Sequence, residues 1–282
     1  MPTLAMAQHA MSTQLSDAQI DNARLDARLL IQHALDMTAE QLVRDAQQTI
    51  DEAQYAAIEA LVQRRAAHEP LAQIVGTKPF WRDAFVVSRD VLSPRPDSET
   101  LIEAVLAHRP DTYVPYAVLD LGVGSGCLLL SVLREYTHAS GTGVDVSDAA
   151  LAIAQQNAKN LQLDGRVSLK KGNWGKTLQK PYDIVISNPP YIALDARDGL
   201  APEVKDYEPA LALFGGSDGL ECYRELAMQL PSLLAQDGIA VIELGAGQAA
   251  DVSELFQRAG MQVKECKNDL NAIPRALVLT HE

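Results

Sequence analysis

Cysteine is scarce in this chain: three residues, Cys127, Cys222 and Cys266, far apart and with no CxxC pair. An odd, scattered set excludes a disulfide framework and a structural zinc site, and it suits a reducing compartment. No metal ligand set is expected. Basic charge is also short, with 24 Lys and Arg against 37 Asp and Glu and a formal net charge of −13. A phosphate backbone repels such a chain, and counterion release offers it little, which argues against direct binding of free DNA or RNA. No Lys or Arg precedes Arg24, so the positive region of a signal or transit peptide is missing. No apolar run approaches the roughly 18–20 residues of a membrane span. These absences together describe a cytoplasmic protein without a membrane partner. Aromatics are only 5% of the chain, so a Trp or Tyr beside a motif stands out.

What is present is an ordinary globular composition, 47% hydrophobic and 22% charged, over 282 residues. That length can bury one large core or two smaller ones. Residues 1 to about 12 read as a loose tail. From Ser16 to Ala67 the apolar spacing is helical, with Leu25, Leu29, Leu30, Ala34 and Leu35 recurring about one turn apart. Capping boxes are expected at Ser16 with Gln19, Thr38 with Gln41, and Thr49 with Glu52. The reading is a small helical bundle over residues 1–75, then a linker or β-hairpin over 76–96 containing Phe80, Trp81, Phe85, Val86 and Val87. Pro94 and Pro96 stiffen the turn around Arg95, and Asp97 is placed to cap the next helix.

Residues 97–282 form the third segment. Apolar runs at 116–121, 142–146, 182–187 and 239–243, with a weaker one at 167–170, alternate with helical stretches at 127–136, 148–162, 219–236 and 248–259. Near-continuous apolar strands separated by helices imply a parallel sheet covered on both faces. Pro231 should kink or break its helix. Residues 261–267 and 275–280 read as an antiparallel hairpin at the sheet edge.

Four motifs follow the strands. Asp120-Leu121-Gly122-Val123-Gly124-Ser125-Gly126 sits between a strand and a helix, where glycines permit close ligand approach and a helix start offers free N–H groups. Taken alone it is either a nucleotide-cofactor loop or a tight packing turn. Asp145 ends the next strand, about 20 residues on, where an acid can accept both hydroxyls of a ribose. Asn173 and Trp174 follow the weak strand and suit an adenine or plain packing equally.

The last motif decides between these readings. The strand Asp183 to Ser187 runs into Asn188-Pro189-Pro190-Tyr191. Two prolines lack N–H donors and fix φ, so the strand must stop and its carbonyls lose local donors. The Asn188 side-chain oxygen and the Pro189 carbonyl then make two acceptors for one NH2 group. Gripping both hydrogens favours a pyramidal nitrogen and aims its lone pair at a methyl donor, with Tyr191 packed against a flat amide. Cys127, beside the glycine loop, reads as a small buried thiol.

With these motifs the chain resembles the HemK/PrmC family of N5-glutamine methyltransferases that modify class-1 peptide chain release factors. The resemblance also runs through Arg24-Leu25-Asp26-Ala27, Glu69-Pro70-Leu71, Phe80-Trp81, Ser93 to Glu99, Tyr207-Glu208-Pro209 and Gly215 to Gly219. It implies a Rossmann-like, seven-stranded class I methyltransferase domain with a small N-terminal helical bundle that helps dock the protein substrate. It implies S-adenosylmethionine as cofactor, bound by Gly122, Val123, Gly124, Ser125, Gly126, Asp145, Asn173, Trp174 and Asn188. It implies that Asn188, Pro189, Pro190 and Tyr191 hold the glutamine of a Gly-Gly-Gln loop, with Asn188, Pro189 and Tyr191 catalytic. Asn173 stands where the family often has Asp. Ser93 and Ser98 replace the common Ile and Thr, an exchange expected to be without consequence. The rival readings are a ribosomal-protein glutamine methyltransferase, a nucleic-acid adenine methyltransferase and a non-catalytic binding module.

Overall fold

A computed structural model describes residues 1–176 and 178–282, and the chain divides into two compact units. The first comprises Met1–Gly76 together with Ala201–Tyr207; the second comprises Thr77–Leu200 and Glu208–Glu282.

The first unit is helical: α1 (Leu4–Asp17), α2 (Ala23–Leu35), α3 (Ala39–Arg44), α4 (Glu52–Ala66) and α5 (Leu71–Val75). The N-terminal residues are not a tail. Leu4, Ala7, Met11 and Leu15 recur at three- and four-residue spacing and are all buried, and the Thr3 hydroxyl caps α1 by accepting from the Met6 N–H. Ser16 consequently lies in the last turn of α1 and starts nothing. The box at Thr38 and Gln41 is formed. The expected one at Thr49 is displaced by two residues, because Asp51 accepts from the Gln54 N–H at 2.8 Å and Gln54 reaches back at 3.0 Å. An ionised carboxylate is the stronger acceptor for a helix start. At the centre of this unit Arg65 pairs with Asp26 at 2.7 Å and with Glu203 at 2.8 Å.

The second unit opens with a hairpin, β1 (Thr77–Phe80) paired antiparallel with β2 (Asp83–Val86). Asn157 fixes it by exchanging two hydrogen bonds with the Val86 backbone, at 2.7 and 3.0 Å. Then follow α6 (Glu99–His108), β3 (Ala117–Leu121), α7 (Cys127–Glu135), β4 (Ser140–Asp145), α8 (Asp148–Asn160), β5 (Val167–Lys171) and β6 (Tyr182–Ser187). The chain contributes α9 (Pro202–Lys205) to the first unit and continues with α10 (Ala210–Leu213), α11 (Glu221–Leu233), β7 (Leu234–Glu243), α12 (Ala249–Arg258), β8 (Met261–Asn268) and β9 (Pro274–His281). Asp97 does not cap α6: it lies in a single tight turn, Pro96–Ser98, with a carboxylate oxygen 3.5 Å from Arg275. Pro231 does not break α11, which runs on to Leu233; so close to the end of the helix, few later turns are left to disturb.

The seven-stranded sheet has the order β5-β4-β3-β6-β7-β9-β8. The first five are parallel, and the terminal hairpin adds β9 antiparallel to β7 with β8 at the edge. Alternation assigns the strand side chains to two cores. Val118, Ile184, Ile186 and Val241 join the core that holds Leu101, Val105 and Leu129 from α6 and α7. Their neighbours Leu119, Val185, Ala240 and Ile242 join the one that holds Tyr223, Leu226 and Phe256 from α11 and α12.

Candidate active site

From β3 the chain passes outward to β4 and β5, then returns to place β6 on the other side of β3. The carboxyl ends of β3 and β6 therefore flank a topological switch point, where open α/β sheets hold ligands. A cavity of about 320 Å³ lies in this unit, a volume suited to a nucleoside-sized ligand.

The glycine loop after β3 lines the cavity. Gly122 and Gly126 adopt φ of 80° and 81°, a region costly for residues with a Cβ. At Gly126 a Cβ would also sit 3.3 Å from that of Ala154, so this glycine lets α7 lie close to α8. The Gly122 and Val123 N–H groups both donate to the Val144 carbonyl, which ties the loop to β4. Asp145, ending β4, accepts from the Gly124 N–H through one oxygen and from the Ser147 N–H through the other, each at 2.9 Å. Each carboxylate oxygen has a second acceptor site, so Asp145 still has capacity for a pair of hydroxyls. Ser147 caps α8, accepting from the Ala150 N–H. Trp174 takes a left-handed backbone, and its ring edge would lie 3.5 Å from a Cβ at Gly122. Cys127 is partly buried on the cavity wall, and desolvation pushes its thiol up to about 12, which keeps it protonated.

At the end of β6, Asn188 and Pro190 line the same cavity. Glycines at 215 and 219 enclose this segment: a Cβ at Gly215 would run into the Pro190 carbonyl, and one at Gly219 into the Tyr191 carbonyl. Gln248 donates to the Tyr191 carbonyl at 3.0 Å, and Ile192 exchanges backbone hydrogen bonds with Leu213 and Gly215. Among the described residues nothing donates to the Pro189 carbonyl. Two prolines in a row thus leave the Pro189 and Pro190 carbonyls without a partner among the described residues, while the Tyr191 and Ile192 carbonyls that follow are held.

Of the residues singled out from sequence, Gly122, Val123, Gly124, Ser125, Asp145, Asn173, Trp174, Asn188 and Pro190 share the cavity wall. Gly126 and Tyr191 lie off it, and Pro189 sits between two residues that line it. The Tyr191 ring packs with the core below, and its hydroxyl is 3.4 Å from a Glu243 carboxylate oxygen.

Two carboxyl groups stand out that the sequence assigned no role: Glu243, which no motif contained, and Asp120, which heads the glycine motif. Glu243, the last residue of β7, is 1% exposed. Burial pushes its carboxyl up to about 7, against the opposing Ser98 hydrogen bond and the Arg275 charge. Asp120, in β3, is equally buried, and among the described residues neither oxygen finds a hydrogen-bond partner. Burial holds it up at about 8, against the nearby Leu129 backbone N–H, and the negative charge of Asp145 adds to the rise. An acid ending an apolar strand was the available signal for Glu243, and an acid before the glycine loop for Asp120.

Comparison with known proteins adds the family. A PrmC N-terminal domain matches residues 7–76, and a methyltransferase small domain matches residues 88–202. The release factor glutamine methyltransferase of Caulobacter vibrioides is 40% identical over 277 residues, covering 98% of this chain and 96% of that one. The chain belongs to the release factor glutamine methyltransferase family. Its namesake from Rhodospirillum rubrum is 42% identical, over 94% of this chain and 81% of the relative. A solved methyltransferase from Pyrococcus furiosus has the same fold, with a TM-score of 0.50 and 17% identity over 78% of this chain and 96% of that one. Membership gives the glycine loop and the proline-terminated strand a common context: both belong to a methyltransferase domain of the seven-stranded type.

Proposed function

We propose that this chain transfers a methyl group to the side-chain amide nitrogen of the glutamine in the Gly-Gly-Gln loop of class-1 release factors. The observation that carries the reading is the placement of Asn188 on the same cavity wall as the glycine loop and Asp145, in a chain aligned with glutamine methyltransferases along nearly its whole length. S-adenosylmethionine would supply an electrophilic methyl on a sulfonium. The residues present fit it: the loop from Gly122 to Gly126 admits close approach, Asp145 has acceptor capacity for the ribose, and Asn173 and Trp174 would flank the base.

An amide nitrogen is a poor nucleophile because its lone pair is delocalised into the carbonyl. The Asn188 side-chain oxygen and the unpartnered Pro189 carbonyl would each accept one of its hydrogens, favouring a pyramidal nitrogen with its lone pair free. Placement of this kind can lower a barrier by roughly 7–11 kcal/mol. Acceptors that tighten as positive charge develops on nitrogen add on the order of 3 kcal/mol each, by analogy with oxyanion donors. No histidine lines the cavity among the described residues. The helical unit would help dock the release factor, and a partner of the translation machinery is met in the cytoplasm.

The test is transfer of a labelled methyl group to purified release factor, ribosomal protein and DNA in parallel. Label is expected in the release factor alone and should vanish when its loop glutamine is replaced. Label in DNA, or label that survives the replacement, overturns the assignment. Asn188→Ala is expected to lower kcat by about 10²–10³-fold while cofactor Kd, read by calorimetry, changes little. An equal loss in both would remove Asn188 from the substrate.

A further inference from the structure

Ser98 occupies the N-cap position of α6, where a serine hydroxyl ordinarily accepts from the first free N–H groups of the helix. Here it makes no capping bond. The hydroxyl is buried and turned the other way, 2.5 Å from a Glu243 carboxylate oxygen and 3.2 Å from the Asn188 side-chain nitrogen. The other Glu243 oxygen faces the Tyr191 hydroxyl at 3.4 Å. Three residues from distant parts of the chain, 98, 188 and 243, are thus joined in one line that ends at the cavity.

Proton counting gives this line a direction. An ionised carboxylate only accepts, and a serine has a single hydroxyl proton. Ser98 donates that proton to Glu243, so towards Asn188 it offers only a lone pair. The side chain of Asn188 must then present its NH2 to Ser98, which leaves its oxygen for the cavity. Reversing the line reverses the amide. If Glu243 held a proton and donated it to Ser98, Ser98 could donate to the Asn188 oxygen, and an NH2 group would face the substrate nitrogen. Two sets of donors cannot bond each other.

We infer that Glu243, acting through Ser98, is a positioning residue that fixes the polarity of the Asn188 amide and so decides whether the site offers an acceptor to the substrate. This rests on the proposed glutamine methylation and deepens it. Every titratable or charged group facing Glu243 bears on the switch. Arg275 from β9 favours the carboxylate, and Asp97 before α6 disfavours it. The Tyr191 hydroxyl approaches the carboxylate, the Tyr223 hydroxyl donates to the Glu243 backbone carbonyl at 2.9 Å, and Cys127 feels its charge. Burial sets the balance near neutrality, so wild-type kcat should fall on the acid side of about pH 7.

The experiment uses the full chain, release factor as methyl acceptor, and Ser98→Ala, Ser98→Thr and Glu243→Gln variants. Each is read as kcat, KM for release factor, cofactor Kd and the pH profile of kcat. Ser98→Ala and Glu243→Gln are expected to lower kcat by about tenfold to a hundredfold with cofactor Kd unchanged. Glu243→Gln, which cannot titrate, should also lose the acid limb. Ser98→Thr keeps the hydroxyl and should keep wild-type kcat. The inference is overturned if Ser98→Ala turns over within about twofold of wild type, if Ser98→Thr is as slow as Ser98→Ala, or if Glu243→Gln retains the acid limb. Should Glu243→Gln fail to fold, the comparison of Ala with Thr at 98 decides alone. A wild-type chain that leaves release factor unlabelled refutes the proposed function; a wild-type chain that labels it while Ser98→Ala does so equally refutes only the positioning role.

Discussion

Asp120 shows how one residue can set the pH response of the fold. Its carboxyl is buried without a hydrogen-bond partner among the described residues and is held up at about 8. In the unfolded chain an aspartate titrates near 3.9. Between those values the native state keeps a proton that the unfolded state gives up. The native state then binds more protons, so stability falls as pH rises through this window. Asp120→Asn removes the titration. The urea midpoint of the variant should therefore drop less between pH 5 and pH 8 than that of wild type. An identical drop in both would mean that Asp120 is ionised in the folded protein. The neighbouring residues of the site illustrate a different point. Ser98 looked like a neutral exchange for threonine in the sequence, yet its hydroxyl lies between Glu243 and Asn188. What the two side chains share is the hydroxyl, the group that bridges Glu243 and Asn188.

The helix starts of the first unit separate sequence pattern from actual capping. Thr49 with Glu52 and Asp51 with Gln54 both match a capping box, and only the second is formed. Asp51→Ala is expected to cost about 1 kcal/mol of stability, whereas Thr49→Ala, at an exposed site, should stay within about 0.5 kcal/mol. Chemical unfolding of the two variants tests the assignment, and equal losses would contradict it. The first helix carries the same lesson. Its apolar spacing was present in the sequence from Leu4 onward, but few charged residues marked its polar face, so it read as a tail. Thr3 and four buried side chains make it an integral helix.

On the scale of the molecule, the segment Ala201–Tyr207 belongs with the helical unit although it lies in the middle of the sheet unit in sequence. Arg65 explains part of this. It is 5% exposed and holds Asp26, Glu203 and the Glu69 carbonyl at once. The short run Arg24 to Ala27, part of the family resemblance, thus has a structural role through Asp26. Arg65→Ala leaves the Asp26 carboxylate buried and unpaired and should cost about 3–5 kcal/mol. Thermal unfolding should show this as a clear fall in Tm, and a variant as stable as wild type would show that the pair is dispensable.

The linear order of residues was enough to determine the class of the second unit and the identity of its central motifs. Apolar runs with strand length, helical spacing between them, glycines after one strand and prolines after another are local signals, and each reflects backbone sterics that act within a few residues. The helical unit was legible for the same reason, apart from its first helix and one cap. Tertiary structure decided the rest. It brought the ends of β3 and β6 side by side, because the chain crosses over to the other flank of β3 after β5. It also joined Ser98, Asn188 and Glu243, whose positions in the chain are 90 and 145 residues from Ser98. A hydrogen bond between residues so far apart leaves no periodicity and no spacing rule. Only the folded sheet, by fixing which strand ends are neighbours, puts a serine, an amide and a carboxyl within reach of one another.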